Sequence, residues 1–500
     1  MAHMLLLQAA EVRPMAHAEG PMPRVLSTGV PNLDRVLGGG LLWHNAYLFA
    51  GAAGTGKSVL SQQIAFHRAR EGERVLLLTG LDEPHRNLLE HLRTLRFADM
   101  SLIGPRIEIV SMAPFLEQPL AERINVLRRT VLNVRPQLVV LDGFRSFETF
   151  LPTQHEVHRF IYDLTSWFAV EGVTLILTRD SGSSDLPDLP EYSLVDGVLL
   201  LQSTSLSDGR CMRQLIVQKL RGGKHLPGPH PYTIDQDGVT VWPRPEAIFL
   251  PADRPWSAAR ARFGIPSLDT MLGGGLPQGA ASLLVGDPGS ARTVLALSFL
   301  AAGQQEGESG LLVTLATPRG RLLGMAQQSG IGLTESEARG QVSLLFLAPF
   351  GLTPGELAAR IEQAVSEIGA RRLVLDAAEV LDEAFCSCAE ARSFLAWLLL
   401  ALPQQGVTTL VTRSTPGPWP GAVRDGAAAL AESVILVRHV RRRGERGHAI
   451  AVLKMPDPEY DRAVRELILE RKGPRVGVPL ESEPGIPGPG AGSPPAREPA

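Results

Sequence analysis

The chain has 500 residues, enough for two to four domains at about 100–200 residues each. A formal net charge of −3 argues against a strongly basic nucleic-acid binder, and three cysteines, Cys211, Cys386 and Cys388, are too few for a disulfide framework or a zinc cluster. No run reaches the roughly 18–20 apolar residues of a membrane span, the longest candidate being Phe394–Leu402, and MAHMLLLQAAEVRP has no basic leader region. A cytoplasmic protein with no membrane contact is expected.

Residues 1–22 mix Pro, Met, His and Gly without periodicity and read as a flexible lead-in. An organised domain is expected over 23–245. Ala46-Tyr47-Leu48-Phe49-Ala50 has the apolar run of a buried strand, and GAAGTGKS follows at 51–58. Gly51, Gly54, Gly56, Lys57 and Ser58 fill every fixed position of G-x-x-x-x-G-K-[S/T], and Thr55 lies within the same loop. The glycines let backbone N–H groups converge on phosphate, Lys57 supplies charge to the β- and γ-phosphates, and Ser58 offers a hydroxyl to Mg²⁺. Val59 to His67 continue as a half-buried helix that Gly72 can end.

Downstream, Arg74–Thr79 reads as a strand followed by the acidic pair Asp82-Glu83, a position from which a general base could serve an attacking water. Asp82-Glu83-Pro84 is also an ordinary helix start. Helices are expected near 88–95, 121–132 and 155–170. Asp142 closes the aliphatic run Leu138–Leu141, placing a carboxylate at the carboxyl end of a central strand, where it can share Mg²⁺ with Ser58.

The same layout then returns. FGIPSLDTMLGGGLPQGAASLLVGDPGSART repeats TGVPNLDRVLGGGLLWHNAYLFAGAAGTGKS, with Gly29 and Gly264, Asp34 and Asp269, Gly38 and Gly273, and Gly51 and Gly286 each 235 residues apart. Leu373-Val374-Leu375-Asp376 and Thr408–Arg413 repeat the Asp142 and Thr174–Arg179 strands, and Lys454 repeats Lys219. Strands alternate with helices in both halves, so the fold class is α/β, with two tandem domains of the P-loop type, each a mostly parallel twisted sheet with helices on both faces. Proline-rich residues 246–260 make the linker, the second domain spans 261–475, and the Pro/Gly-rich residues 476–500 read as a disordered tail.

Together these residues resemble the KaiC-like ATPases of the RecA superfamily over about residues 24–472. The likeness rests on the G-[VI]-P-x-L-D-x-x-L-G-G-G-L lead-in of both halves, GAAGTGKS, Asp82-Glu83-Pro84, the Asp142 strand, Glu191–Val198, and Lys219-Leu220-Arg221-Gly222-Gly223-Lys224-His225, which looks like the family's K-x-R-G-x-x-H. It implies ATP and Mg²⁺ as cofactors and a homohexameric ring with ATP at the subunit interfaces. It also implies a signalling protein partner, water activation by Glu83 with Asp82 beside it, contact of Lys219 and Arg221 with the γ-phosphate of the adjacent subunit's ATP, and nucleotide contact for His225. The family usually has glutamate at the first acidic position, where this chain has Asp82.

The second copy departs from this pattern where the chemistry is most demanding. Ala291 and Arg292 stand where the first copy has Gly56 and Lys57, and Leu315-Ala316-Thr317-Pro318 carries no carboxylate and is one residue shorter. Lys454 is followed by Met455-Pro456-Asp457 in place of K-M-R-G, and the positions the resemblance assigns to an autophosphorylated Ser-Thr pair hold Ala428 and Ala429. Hydrolysis and autophosphorylation are therefore not expected there, while Thr293 with Asp376 leaves weak nucleotide binding open. Two alternatives to a signalling ATPase are a DNA-acting relative and an ATP-stabilised scaffold with negligible turnover. The loop at 144–150 has aromatics but one base and that at 180–191 is acidic, so nucleic acid is not favoured.

Overall fold

The computed structural model describes residues 24–80, 85–116, 118, 120–145, 151, 153–181, 190–205, 209–253, 257–414, 426–442 and 445–480. Asp82 and Glu83 lie outside the described residues, as do most of the loops at 144–150 and 180–191. The described residues form two nine-stranded sheets, one in each half of the chain. None of its helices is long and apolar enough to cross a membrane.

In the first sheet the strands are β1 (Ala46–Gly51), β2 (Val75–Thr79), β3 (Ile107–Ser111), β4 (Leu138–Asp142), β5 (Thr174–Asp180), β6 (Gly197–Ser205), β7 (Cys211–Leu220), β8 (Pro229–Asp235) and β9 (Gly238–Val241), in the spatial order β9-β8-β7-β6-β1-β5-β4-β2-β3. The pairings from β3 across to β6 are parallel. Runs such as Val75-Leu76-Leu77-Leu78 are buried throughout because helices cover both faces, which is why they show no alternation of apolar and polar residues. The covering helices include α1 (Lys57–Arg70), α2 (Leu120–Val134) and α3 (Gln154–Glu171), close to the expected spans. At the start of α3 the Thr153 hydroxyl accepts from the Glu156 amide at 3.3 Å and donates to its carboxylate at 2.9 Å, and Gly172 ends the helix at φ 72°. A short helix α4 (Pro190–Leu194) precedes β6.

The second sheet repeats this plan with β10 (Ala281–Gly286), β11 (Gly310–Thr314), β12 (Val342–Phe346), β13 (Arg372–Asp376), β14 (Thr408–Ser414), β15 (Ser433–Arg442), β16 (Glu445–Lys454), β17 (Arg465–Glu470) and β18 (Gly473–Pro479), ordered β12-β11-β13-β14-β10-β15-β16-β17-β18. Its first six strands in that order are parallel and the last four form antiparallel pairs. Helices α5 (Arg292–Gln305), α6 (Pro354–Ile368), α7 (Cys388–Gln404) and α8 (Gly426–Leu430) belong to this unit. Pro245–Ile248, at the start of the proline-rich stretch, forms one helical turn packed on α7.

The repeated lead-in has a physical reason in both units. Asp34 accepts the Thr28 amide at 2.9 Å and its hydroxyl at 2.6 Å, and Asp269 accepts the Phe263 amide at 2.7 Å, pinning the chain before the domain's first turn of helix. The triple glycine then passes so close to the preceding segment that a Cβ on Gly40 would sit 2.4 Å from the Leu26 carbonyl oxygen, and one on Gly275 2.5 Å from that of Ala261.

Candidate nucleotide site

Three parallel strand ends converge on the first phosphate loop. β1 runs into Gly51, and its register with β5 sets Gly51 beside Asp180. On the other side of β5, β4 delivers Asp142. The loop closes at Gly56, held at φ 93° as the residue before α1, so the first N–H groups of α1 remain directed at the loop. A Cβ on Gly51 would fall 2.1 Å from the Leu201 carbonyl oxygen, which is why only glycine fits where β1 leaves the sheet. Thr55 is buried, its hydroxyl donating to the Ala52 carbonyl at 2.8 Å and fixing the turn through Gly54.

Lys57 is buried under this loop. Its ammonium donates to the carbonyls of Gly51 and Ala52, both at 2.9 Å, and pairs with the Asp180 carboxylate at 2.6 Å. Ser58 donates to Asp142 at 3.0 Å. A residue that the sequence reading did not single out completes this group: the Thr178 hydroxyl makes a short hydrogen bond to the same carboxylate oxygen and accepts the Gly143 amide at 2.9 Å. Burial pushes the Asp142 carboxyl above the usual range, against the opposing pull of Thr178, Ser58 and Lys57. A desolvated carboxylate beside a serine hydroxyl is an oxygen donor set that a bound Mg²⁺ would stabilise, so the residues present fit that ion.

The second loop preserves this framework. Thr293 donates to both oxygens of Asp376 at 3.2 Å, Thr412 donates to one of them at 2.7 Å, and the Ala377 amide donates to Thr412 at 2.9 Å. Burial raises the Asp376 carboxyl as it does Asp142. The differences lie in the cradle. Ala291 occupies the left-handed position at φ 69°, and Arg292 approaches Glu379 at 3.5 Å. Beyond β11, the amides of Ala316 and Thr317 donate to the Thr314 hydroxyl at 3.3 and 3.2 Å, so a hydroxyl-closed turn occupies the segment where the first copy carries Asp82 and Glu83.

The remaining candidates sit elsewhere. Lys219, at the end of β7, donates to the carbonyls of Tyr192 at 2.9 Å, Ser193 at 3.3 Å and Val195 at 2.7 Å, and burial depresses its ammonium below the usual lysine range. Arg221 is more exposed, donating to the Ser193 carbonyl at 3.2 Å and lying 3.7 Å from Asp196. His225 is half-buried in the loop that follows. Within the Glu191–Val198 motif, Glu191 is fully buried in an ion pair with Arg179, and Asp196 accepts the Ala46 amide at 3.0 Å, anchoring the start of β1.

A family model described as "ATPase: KaiC" matches residues 26–246 and again residues 261–480. The chain belongs to the KaiC ATPase family. Among its relatives, the circadian clock protein KaiC3 of Synechocystis sp. is 26% identical over 481 residues, covering 92% of this chain and 93% of that protein. The circadian clock oscillator protein KaiC of Rippkaea orientalis is 25% identical, over 91% of this chain and 88% of its own length, and that of Synechococcus elongatus is 24% identical over 90% and 88%. The two matched segments coincide with the two sheets, so this is a KaiC-family ATPase with duplicated RecA-like domains.

Proposed function

We propose that the first domain hydrolyses ATP to ADP and phosphate in the cytoplasm, within a homohexameric ring whose conformation reports nucleotide state to a signalling protein partner. The asymmetry between the two loops carries this reading: both keep a hydroxyl–carboxylate–threonine cluster, but the first has Gly56, Lys57 and the acidic pair Asp82-Glu83, whereas the second has Ala291, Arg292 and a carboxylate-free turn at 315–318. Backbone N–H groups of Gly51, Gly54, Thr55 and Gly56, with Lys57, hold the phosphates. Ser58 and Asp142 hold Mg²⁺, which when bound offsets charge on the transferring phosphoryl group.

Glu83, with Asp82 beside it, accepts the proton of the attacking water. Arg221 supplies charge to the γ-phosphate of a neighbouring copy, and Lys219 holds the strand end from which Arg221 projects while contributing its own charge. His225 lines the nucleotide from the same loop. The second domain serves assembly, nucleotide sensing or partner docking, and with Ala428 and Ala429 in place of hydroxyl-bearing residues it does not autophosphorylate. Phosphate release by purified wild-type, Glu83→Gln and Arg221→Ala proteins tests the assignment. Loss of a general base is expected to slow Glu83→Gln about 10²- to 10⁴-fold, and undiminished turnover would remove Glu83 from the mechanism. Native mass measurement with ATP, with ADP and without nucleotide tests the ring.

A further inference from the structure

We infer that Asp180 competes with the nucleotide's triphosphate for Lys57, and so sets how tightly the first domain takes up its nucleotide. The inference rests on the reading of the first loop as an ATP site. An ammonium has three donors, and those of Lys57 are spent on Gly51 O, Ala52 O and Asp180 Oδ1. The two carbonyls belong to the loop itself. Asp180 is the charged partner, brought there by the register that pairs it with Gly51. For Lys57 to turn to a γ-phosphate oxygen it must surrender this ion pair, and the carboxylate left behind faces a polyanion of like sign. Lys57 is buried while the Asp180 side chain is 47% exposed, so the pair is partly screened and a moderate effect is expected.

The second unit supports a counter-charge role over a role in chemistry. The residue in register with Gly286 is Ser414, which has no charge to offer. Arg292 nevertheless finds a carboxylate, that of Glu379 at 3.5 Å, contributed from the turn after β13 and steadied by the Ser414 amide at 2.9 Å. Two different strand ends thus supply an acid to the cation of the phosphate loop, in a copy that carries Asp82-Glu83 and in one that has no such pair. A general base or water-orienting residue has no reason to persist in the second setting, whereas a partner for a buried cation does.

The test is titration of the full-length protein with Mg²⁺ and a fluorescent ATP analogue, together with KM and kcat for ATP, for wild type, Asp180→Asn and Asp180→Glu. Asp180→Asn is expected to lower Kd and KM about three- to tenfold, and Asp180→Glu, which keeps the carboxylate, to stay within about twofold of wild type. Unchanged or weaker binding by Asp180→Asn would overturn the inference, as would a kcat collapse with Kd unaltered, since that marks a role in proton transfer. A wild-type protein that neither binds nor turns over ATP would instead overturn the ATPase reading, and this inference with it.

Discussion

At Ala291 the second phosphate loop holds a Cβ-bearing residue at φ 69°, where the first loop has Gly56 at φ 93°. A non-glycine residue in that region costs about 1–2 kcal/mol, so the surrounding structure, chiefly α5 and the Thr293–Asp376–Thr412 cluster, imposes the loop on a residue that disfavours it. Ala291→Gly relieves the strain but adds freedom to the unfolded chain, leaving a net gain of about 0.5–1 kcal/mol. Calorimetry of the full chain should show the second-domain transition rising by about 1–3 °C, and a fall would mean that Ala291 is held by its methyl contacts and not despite them. The first loop shows the reverse economy: every strained position is a glycine, and its buried Lys57 and half-buried Asp142 have partners within hydrogen-bond reach.

At the scale of elements, the strand end carrying Lys219 and the one carrying Lys454 do the same structural work. Lys454 donates to the carbonyls of Ala428 at 3.2 Å, Ala429 at 2.9 Å and Ala431 at 2.6 Å, as Lys219 does to those around α4. A cation at the exposed carbonyls of a helix end satisfies groups that the helix cannot satisfy itself. Beyond Lys454 the two copies differ: Asp457 forms an ion pair with Arg260, so Pro456 and Asp457 close a turn within the unit where the first copy extends Arg221. Lys454→Met should therefore destabilise the second domain by about 1 kcal/mol, measured by urea unfolding, while phosphate release per folded molecule stays at the wild-type level. A matching loss of turnover would show that the second domain takes part in hydrolysis.

Much of this was legible along the chain, because the decisive groups lie in local patterns. The phosphate loop, the strand ending in Asp142, the 235-residue repeat and the helices α1 to α3 all follow from runs of neighbouring residues. Thr178 and Asp180 were not legible in this way. They reach Asp142 and Lys57 only through the register of β5 between β1 and β4, and in sequence Asp180 looks like one more member of an acidic loop. The recurrence of Thr-Arg at 178–179 and 412–413 was the available signal for the threonine. The capping role of Lys219 was equally hidden, since it depends on a helix lying 27 residues upstream of the strand end.

For the molecule as a whole, one fold written twice has kept its frame in both halves, and the full G-x-x-x-x-G-K-S pattern and the acidic pair Asp82-Glu83 in one. Both sheets have nine strands in the same order, both lead-ins are pinned by an aspartate, and Asp142 and Asp376 each accept from the hydroxyl that follows the phosphate-loop cation. The central claim is that turnover belongs to the first loop alone. Steady-state phosphate release by the Lys57→Ala protein, set against wild type at saturating ATP, tests it most directly. Loss of the lysine should bring turnover to background, at least about 100-fold below wild type, because the charge that meets the transferring phosphoryl group is gone. Retention of half or more of the wild-type rate would place hydrolysis in the second domain and contradict the account.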